Sequence, residues 1–165
     1  MSFALELLTV LLVMAIWEVA RLRAQIRRWS RDPVTGCTLS GGIRWPSRVG
    51  VIYVDLDGLK SVNDAGGHAA GNEYLARAAR AIGTVVRHTD VVRNGSAADE
   101  FIVLVRDATS QRHVEIVAAR VRAALSAAGV RASLGAAYGA AREAVPRADK
   151  AMYKDKQARK AAAAA

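Results

Sequence analysis

From Phe3 to Ala20 the chain reads FALELLTVLLVMAIWEVA, apolar at every position except Glu6, Thr9 and Glu18. A bilayer-spanning helix needs about 20 predominantly apolar residues, with roughly 17 as the lower end. This run reaches that length if the two glutamates sit at the interfaces and Trp17 lies at headgroup level. Arg21, Arg23, Arg27, Arg28 and Arg31 come next, which marks the following side as cytoplasmic and offers contacts to anionic lipid. A cleavable signal peptide would carry its positive charge ahead of the apolar run and a small-residue cleavage site behind it, and the sequence has neither. An amphipathic or coiled-coil helix of a soluble dimer is the competing reading. The pattern predicts a signal-anchor segment over residues 1–31.

Asp32-Pro33-Val34-Thr35-Gly36 punctuates the chain and ends that first helix. The glycine-rich stretch to Ser47 is expected to be loop. Val49–Leu56 (VGVIYVDL) is a β-branched run that predicts a buried strand. Leu59–Asn63 opens a short helix that Gly66-Gly67 breaks, and Asn72–Arg87 carries Leu75, Ala79, Ile82 and Val86 at helical spacing. Val91–Arg93 and Phe101–Val105 predict a β-hairpin, with Asn94-Gly95 as its two-residue turn. A helix over Val114–Ala127, a strand over Val130–Ala136 and a helix over Arg147–Arg159 complete an α/β (α+β) domain spanning residues 32–160. Residues 161–165 are an alanine tail expected to fray.

At 165 residues the length suits one domain and a short appendage. A hydrophobic fraction of 52% with 24% charged residues excludes a disordered chain. The lone cysteine, Cys37, excludes an internal disulfide. A net charge of +9 attracts anions, whether nucleotide phosphates, nucleic acid or lipid headgroups. No arginine–aromatic stripe accompanies it, so nucleic acid is not an expected partner.

Two acidic clusters carry the candidate chemistry. Asp55 and Asp57 end the first strand of the α/β unit, and Asp99-Glu100 leads into the strand FIVLV. Carboxylates brought side by side from two strands make a hard-cation site of the kind Mg2+ occupies together with substrate phosphates. Such a site suits in-line attack of a hydroxyl on phosphorus with pyrophosphate leaving. Lys60, Lys156 and Lys160 could neutralise triphosphate charge. The alternative is that these acids are solvated turn and edge residues with no chemistry.

The ordered set of motifs resembles one family. Asp55-Leu56-Asp57-Gly58-Leu59-Lys60-Ser61-Val62-Asn63-Asp64 followed by Gly67-His68-Ala69-Ala70-Gly71-Asn72 is similar to the DxDxFKxxND…GHxxGD block of GGDEF domains. Ala98-Asp99-Glu100-Phe101 resembles their signature hairpin, and Asp32-Pro33-Val34-Thr35-Gly36 their DxLTG entry. Ser133-Leu134-Gly135 resembles the SxG strand, and Ala148 to Lys156 the ADxALYxAK helix. The resemblance implies a palm-like fold: a central mixed, mainly antiparallel sheet flanked by helices. It implies a diguanylate cyclase that condenses two GTP into cyclic di-GMP, as a membrane-anchored homodimer at the bacterial inner membrane with its domain in the cytoplasm. Asp55, the Leu56 carbonyl and Asp99 would hold Mg2+ (or Mn2+), and Glu100 would assist at the attacking hydroxyl or at the metals. Asn63 and Asn72 would read guanine with Asp64 beside them, and Lys60, Lys156 and Lys160 would meet phosphates. Arg87 and Asp90 resemble the RxxD site that binds the product, cyclic di-GMP.

The chain also departs from that pattern. Ala97-Ala98 replaces two glycines, and two Cβ atoms there are expected to strain the turn and crowd the nucleotide. One extra residue between Asp90 and Asp99 would either swing Asp99 to the opposite face or be absorbed by a bulge at Ser96. Asn72 stands in place of an aspartate, and an amide offers fewer acceptors to guanine. Gly58 and Leu59 replace bulky residues, and Cys37–Ser47 is too short for the helix the family places there. Three functions follow from this mixture: a working diguanylate cyclase, a catalytically silent relative that binds GTP or cyclic di-GMP and signals by contact, or, from Asn72, a cyclase that uses another nucleotide.

Overall fold

The computed structural model describes residues 2–29, 31–39 and 45–164, with side chains of 6–23, 31–39 and 45–162. In chain order the elements are α1 (Ser2–Trp29), β1 (Arg48–Leu56), α2 (Leu59–Gly83), β2 (Val91–Asn94), β3 (Glu100–Val105), α3 (Gln111–Ala127), β4 (Ala132–Ala140) and α4 (Ala141–Ala164). The four strands form one sheet in the order β2-β3-β1-β4. Every strand pair is antiparallel. A β-α-β-β-α-β run with this order is the split-βαβ arrangement, and α4 is added to it.

Strand alternation divides the hydrophobic residues between two faces. Ile52, Val54 and Leu56 of β1 point with Phe101 and Val103 toward α2 and α3, which contribute Leu75, Ala78, Ile82, Val114, Val121 and Leu125. Val49, Val51 and Tyr53 point the other way, with Ile102 and Leu104, against Ala144, Ala148 and Met152 of α4. Both faces of β1 are therefore covered, which explains its uninterrupted hydrophobic run. Gly135 lets α4 lie directly on β4, since a Cβ there would strike the backbone of Ala148, Ala151 and Met152. The SxG spacing thus has a packing origin.

Several boundaries and pairings differ from expectation. The sheet is antiparallel throughout its four strands, and among the described residues its mixed character shrinks to one parallel bridge, Thr38 to Arg93. That bridge grows out of the entry turn. There Asp32 Oδ1 accepts from the backbone N–H groups of Val34 (3.0 Å) and Thr35 (2.7 Å), and Gly36 takes a left-handed φ of 69°. The break expected at Gly66-Gly67 is present: Gly67 leaves helical geometry (φ 72°, ψ −179°), so α2 consists of two helical stretches joined at a kink. β4 runs on to Ala140, and α4 begins at once at Ala141.

The apolar N-terminal run does form a helix, and its described side chains from Glu6 to Arg23 are all exposed. Among the described residues no helix is long and apolar enough to cross a membrane. The first side chains of the span expected over residues 3–20, and those of Arg27 and Arg28, lie outside the described residues, as do residues 40–44 of the expected loop.

Candidate active site

The carboxyl end of β1 gathers the first acidic cluster. Asp55 pairs in register with Glu100 on one side and Ser133 on the other, so it sits mid-sheet with neighbours on both flanks. Its side chain is on the α4 face, two residues beyond Tyr53, and it is only 7% exposed. Burial raises its pKa, and the hydrogen bonds from Lys156 oppose that rise. The Lys156 ammonium donates to both Asp55 oxygens, at 2.7 and 2.9 Å. This contact in turn raises the lysine pKa. A mid-sheet carboxylate with a cross-helix ammonium is a satisfied ion pair, at the cost of desolvating both ends.

Glu100 faces the same way as Asp55, and its Oε2 is heavily used. It accepts from the Tyr53 hydroxyl (3.0 Å), the Ser96 backbone N–H (2.9 Å), the Ser96 hydroxyl (2.8 Å) and the Ala97 backbone N–H (3.1 Å). Burial pushes the Glu100 pKa up, but these four donors together outweigh it and hold the carboxyl below its ordinary value. Glu100 therefore closes its own hairpin loop. β2 and β3 stay in unbroken register up to Asn94 opposite Phe101, so Asn94-Gly95 is not the turn. The chain reverses over Ser96–Asp99 instead, and the extra residue is taken into that loop with no bulge in the paired strands. No non-glycine residue among those described has a positive φ, so Ala97 and Ala98 sit in the turn without left-handed strain.

Asp99 lies in the loop just before β3. Its carbonyl accepts from the Leu56 N–H (2.9 Å), and its charge raises the pKa of both Asp55 and Lys156. Asp55, Asp99 and Glu100 are thus grouped at one end of the sheet. Asp57 begins the turn into α2, and its Oδ2 is 3.6 Å from Arg159 Nε. Among the described residues no three His, Cys, Asp or Glu side chains cluster closely enough to hold a metal by themselves. Magnesium seldom needs such a cage, because one or two carboxylates plus phosphate oxygens suffice. Asp55, Asp99 and a backbone carbonyl are hard oxygen donors that fit that requirement, provided that Lys156 leaves Asp55.

The bend at Gly67 folds α2 so that Asn63 and the following Gly-Asn pair meet. A Cβ on Gly71 would collide with Asn63 Oδ1, so glycine at 71 is what lets Asn63 lie against the helix beside Asn72. Asn63 is half-buried and Asn72 exposed. Lys60, Asp64 and Lys160 are exposed, and none has a hydrogen bond or ion pair among the described residues. On α4 it is Arg159, not Lys160, that turns toward Asp57. Its spacing of three from Lys156 is the signal that could have identified it. Tyr53, two before Asp55, shares its strand face, but its hydrogen bond to Glu100 has no signal in the spacing. In the RxxD segment the Asp90 carboxylate accepts from the backbone N–H groups of Arg87 (2.9 Å) and Arg106 (3.2 Å), which fixes the turn, while the Arg87 side chain is exposed.

Comparison with known proteins agrees with this architecture. The family described as "Diguanylate cyclase, GGDEF domain" matches residues 40–162. Diguanylate cyclase A of Treponema denticola is 32% identical over 121 residues, covering 65% of this chain and 32% of that protein. Cyclic di-GMP phosphodiesterase PdeR of Escherichia coli is 41% identical over 75 residues, covering 46% of this chain and 11% of that protein. The chain therefore spans a third or less of these two curated relatives. A microbial GGDEF domain studied for its interaction with cyclic di-GMP superposes with a TM-score of 0.66 at 25% identity, covering 81% of this chain and 94% of that one.

Proposed function

This chain belongs to the GGDEF domain family, and from that premise we propose that it binds GTP at the end of β1 and, as a pair of domains, joins two GTP into cyclic di-GMP. Each 3′-hydroxyl would attack the α-phosphorus of the other GTP, forming a phosphodiester and releasing pyrophosphate. The observation that carries the reading is the gathering of Asp55 on β1, Glu100 beside it on β3 and Asp99 in the loop just before, with the Lys156 ammonium on Asp55 and within the field of Asp99. Asp55, Asp99 and the Leu56 carbonyl would hold Mg2+ or Mn2+, and the ion would supply charge stabilisation at the reacting phosphate. Lys156, freed from Asp55, would turn to the triphosphate together with Lys60 and Lys160. Asn63 and Asn72 would meet the base, with weaker guanine preference than an aspartate would give.

A second reading is supported by the same side chains. Asp55 has both oxygens on Lys156, and Glu100 spends one oxygen on four donors of its own loop. A domain held in that state would bind nucleotide or cyclic di-GMP without turnover, with Arg87 and Asp90 as the cyclic di-GMP site. Purified protein incubated with GTP and Mg2+ separates the two. Cyclic dinucleotide above the level of an Asp99→Ala control supports the cyclase. Production no higher than that control rejects it, and titration with cyclic di-GMP then tests the silent domain.

Attachment to the bacterial inner membrane through α1, domain on the cytoplasmic side, is part of the proposal. Exposed Leu7, Leu8, Leu11, Leu12, Val13, Ile16 and Trp17 support it, because so much bare apolar surface on one helix needs a bilayer or a second copy to cover it. Flotation of the full chain with anionic vesicles tests it, and a chain that stays at the bottom of the gradient sinks the membrane reading.

A further inference from the structure

Two clefts meet at the turn between α3 and β4. One, of about 340 Å³, is lined by Arg122, Arg131 and Arg159. The other, of about 530 Å³, is lined by Asp57, Gly58 and Arg77, and the two share Gly129 and Arg131. We propose that this joined, arginine-lined cleft binds an oligophosphate group, with Arg131 as its principal contact, and that it is separate from the Asp55–Lys156 centre.

The charges in the cleft do not balance. Arg122 is paired with Asp155 at 2.9 Å. Arg159 has Asp57 only at 3.6 Å, and its buried Nε has no hydrogen-bond partner. Arg77 lies over the Tyr74 ring, 5.5 Å from its centre. The Arg131 guanidinium is exposed and has no hydrogen bond or ion pair among the described residues. Four guanidinium groups thus face two carboxylates. Nor are the arginines needed to cap α3. Its last carbonyls, on Ala124, Leu125 and Ser126, already accept from the N–H groups of Ala128, Gly129 and Val130.

Gly58 leaves open space beside Arg131. Arg131 Nη2 lies 3.9 Å from where a Cβ on Gly58 would stand, so the guanidinium spreads over the β1–α2 turn. Gly58 has a φ of 83°, which favours glycine, and a bulky residue there would occupy the space the arginine now uses. A planar guanidinium with free forked donors, beside a second arginine whose buried Nε has no hydrogen bond, is suited to phosphate oxygens, which it can grip two at a time. The proposal does not depend on turnover at Asp55.

The test is calorimetric titration of the full chain with pyrophosphate in the presence of EDTA. One saturable site is expected. Arg131→Gln should weaken it by about tenfold, and Arg131→Lys should weaken it less, since charge stays and the fork goes. Lys156→Gln should leave it in place, and so should Arg112→Gln, at the opposite end of α3 about 20 Å away. Binding unchanged in Arg131→Gln, or lost in Lys156→Gln, overturns the proposal and returns pyrophosphate to the Asp55 centre. Equal weakening in Arg112→Gln overturns it as a net-charge effect. Adding GTP to protein loaded with pyrophosphate identifies the source of the group. Independent binding means that the cleft takes a free oligophosphate, and competition overturns its separation from the nucleotide site at Asp55.

Discussion

Replacing Gly135 by alanine adds one methyl group, yet it should be among the most damaging changes available in this domain. Gly135 is on the face of β4 that α4 covers, and a Cβ there would meet the Ala148 carbonyl oxygen, the Met152 nitrogen and the Ala151 carbonyl carbon. These are backbone atoms of a continuous helix, so no rotamer change can relieve the overlap. The helix must lift, and with it Ala144, Ala148 and Met152 withdraw from Val49, Val51, Tyr53, Ile102 and Leu104. Overpacking of a tight core costs about 1–3 kcal/mol. A radial gap of about 0.5–1 Å forfeits a quarter to a half of each dispersion contact, which places this case at the upper end. About 3 kcal/mol corresponds to roughly a hundredfold in the folding equilibrium and to about 10 °C in midpoint for a domain of this size. The comparison is Gly83→Ala, at the end of α2, where an added Cβ meets nothing within 4 Å. There the same methyl should be neutral or stabilise by about 0.4–1 kcal/mol, by restricting the unfolded chain. Urea and thermal unfolding of the two variants measure both signs. A Gly135→Ala unfolding free energy within about 1 kcal/mol of the parent would refute direct seating of α4 on β4.

Glu100→Gln should flatten the acid limb of the stability curve. The folded pKa of Glu100 lies below its ordinary 4.5, so its contribution is present above that value and is lost as pH falls toward the folded pKa. Unfolding followed across that range would count against the loop-closing role if parent and variant lost stability in parallel. Removal of divalent ions with EDTA should leave the melting midpoint of the nucleotide-free protein unchanged, because Lys156 already supplies the counter-charge of Asp55. A drop of several degrees would show that a bound metal stabilises the nucleotide-free fold. Gly71→Ala should change stability by less than about 1 kcal/mol, since helix propensity favours alanine. It should still weaken GTP binding on titration, because the new methyl displaces the movable Asn63 side chain. Unaltered GTP affinity would take Asn63 out of the base site.

The fold was legible wherever burial imposed a period. β1 could be read as a buried strand because both of its faces are covered, and the hydrophobic spacing on α2 is a true core stripe. The hairpin turn was misplaced for a local reason. Asn94-Gly95 is a strong short-range turn signal, but Asn94 stays in register with Phe101 and Gly95 packs against the Glu100 side chain. Tertiary pairing therefore overrode the local preference. Strain at Ala97-Ala98 did not follow either, because the longer loop reverses without left-handed residues outside glycine. Partners were the least legible part. Nothing in the spacing of Ser96 or Tyr53 announces that both donate to one Glu100 oxygen, since that depends on how a loop curls over a strand.

What the acids do depends on what holds them before any ligand arrives. A metal-binding carboxylate must keep lone pairs available, and at this end of the sheet the protein has filled many of them itself. Lys156 is on α4, Ser96 and Ala97 are in the hairpin loop, and Tyr53 is on β1. Three separate elements thus converge on Asp55 and Glu100, and their donors must yield, at least in part, before a divalent ion could take the same oxygens. Such a site favours ligands that bring their own replacements. Under the proposed function a triphosphate would accept from Lys156, and Asp55, relieved of the lysine, would be available to hold a divalent ion. Nucleotide and metal should accordingly bind together more tightly than either binds alone. Isothermal titration of Mg2+ in the presence and absence of a non-hydrolysable GTP analogue measures that coupling directly. Lys156→Gln should reduce it, because Asp55 is then already free to receive the ion. Equal Mg2+ affinity with and without nucleotide in the parent protein would mean that Lys156 does not stand in the cation's way.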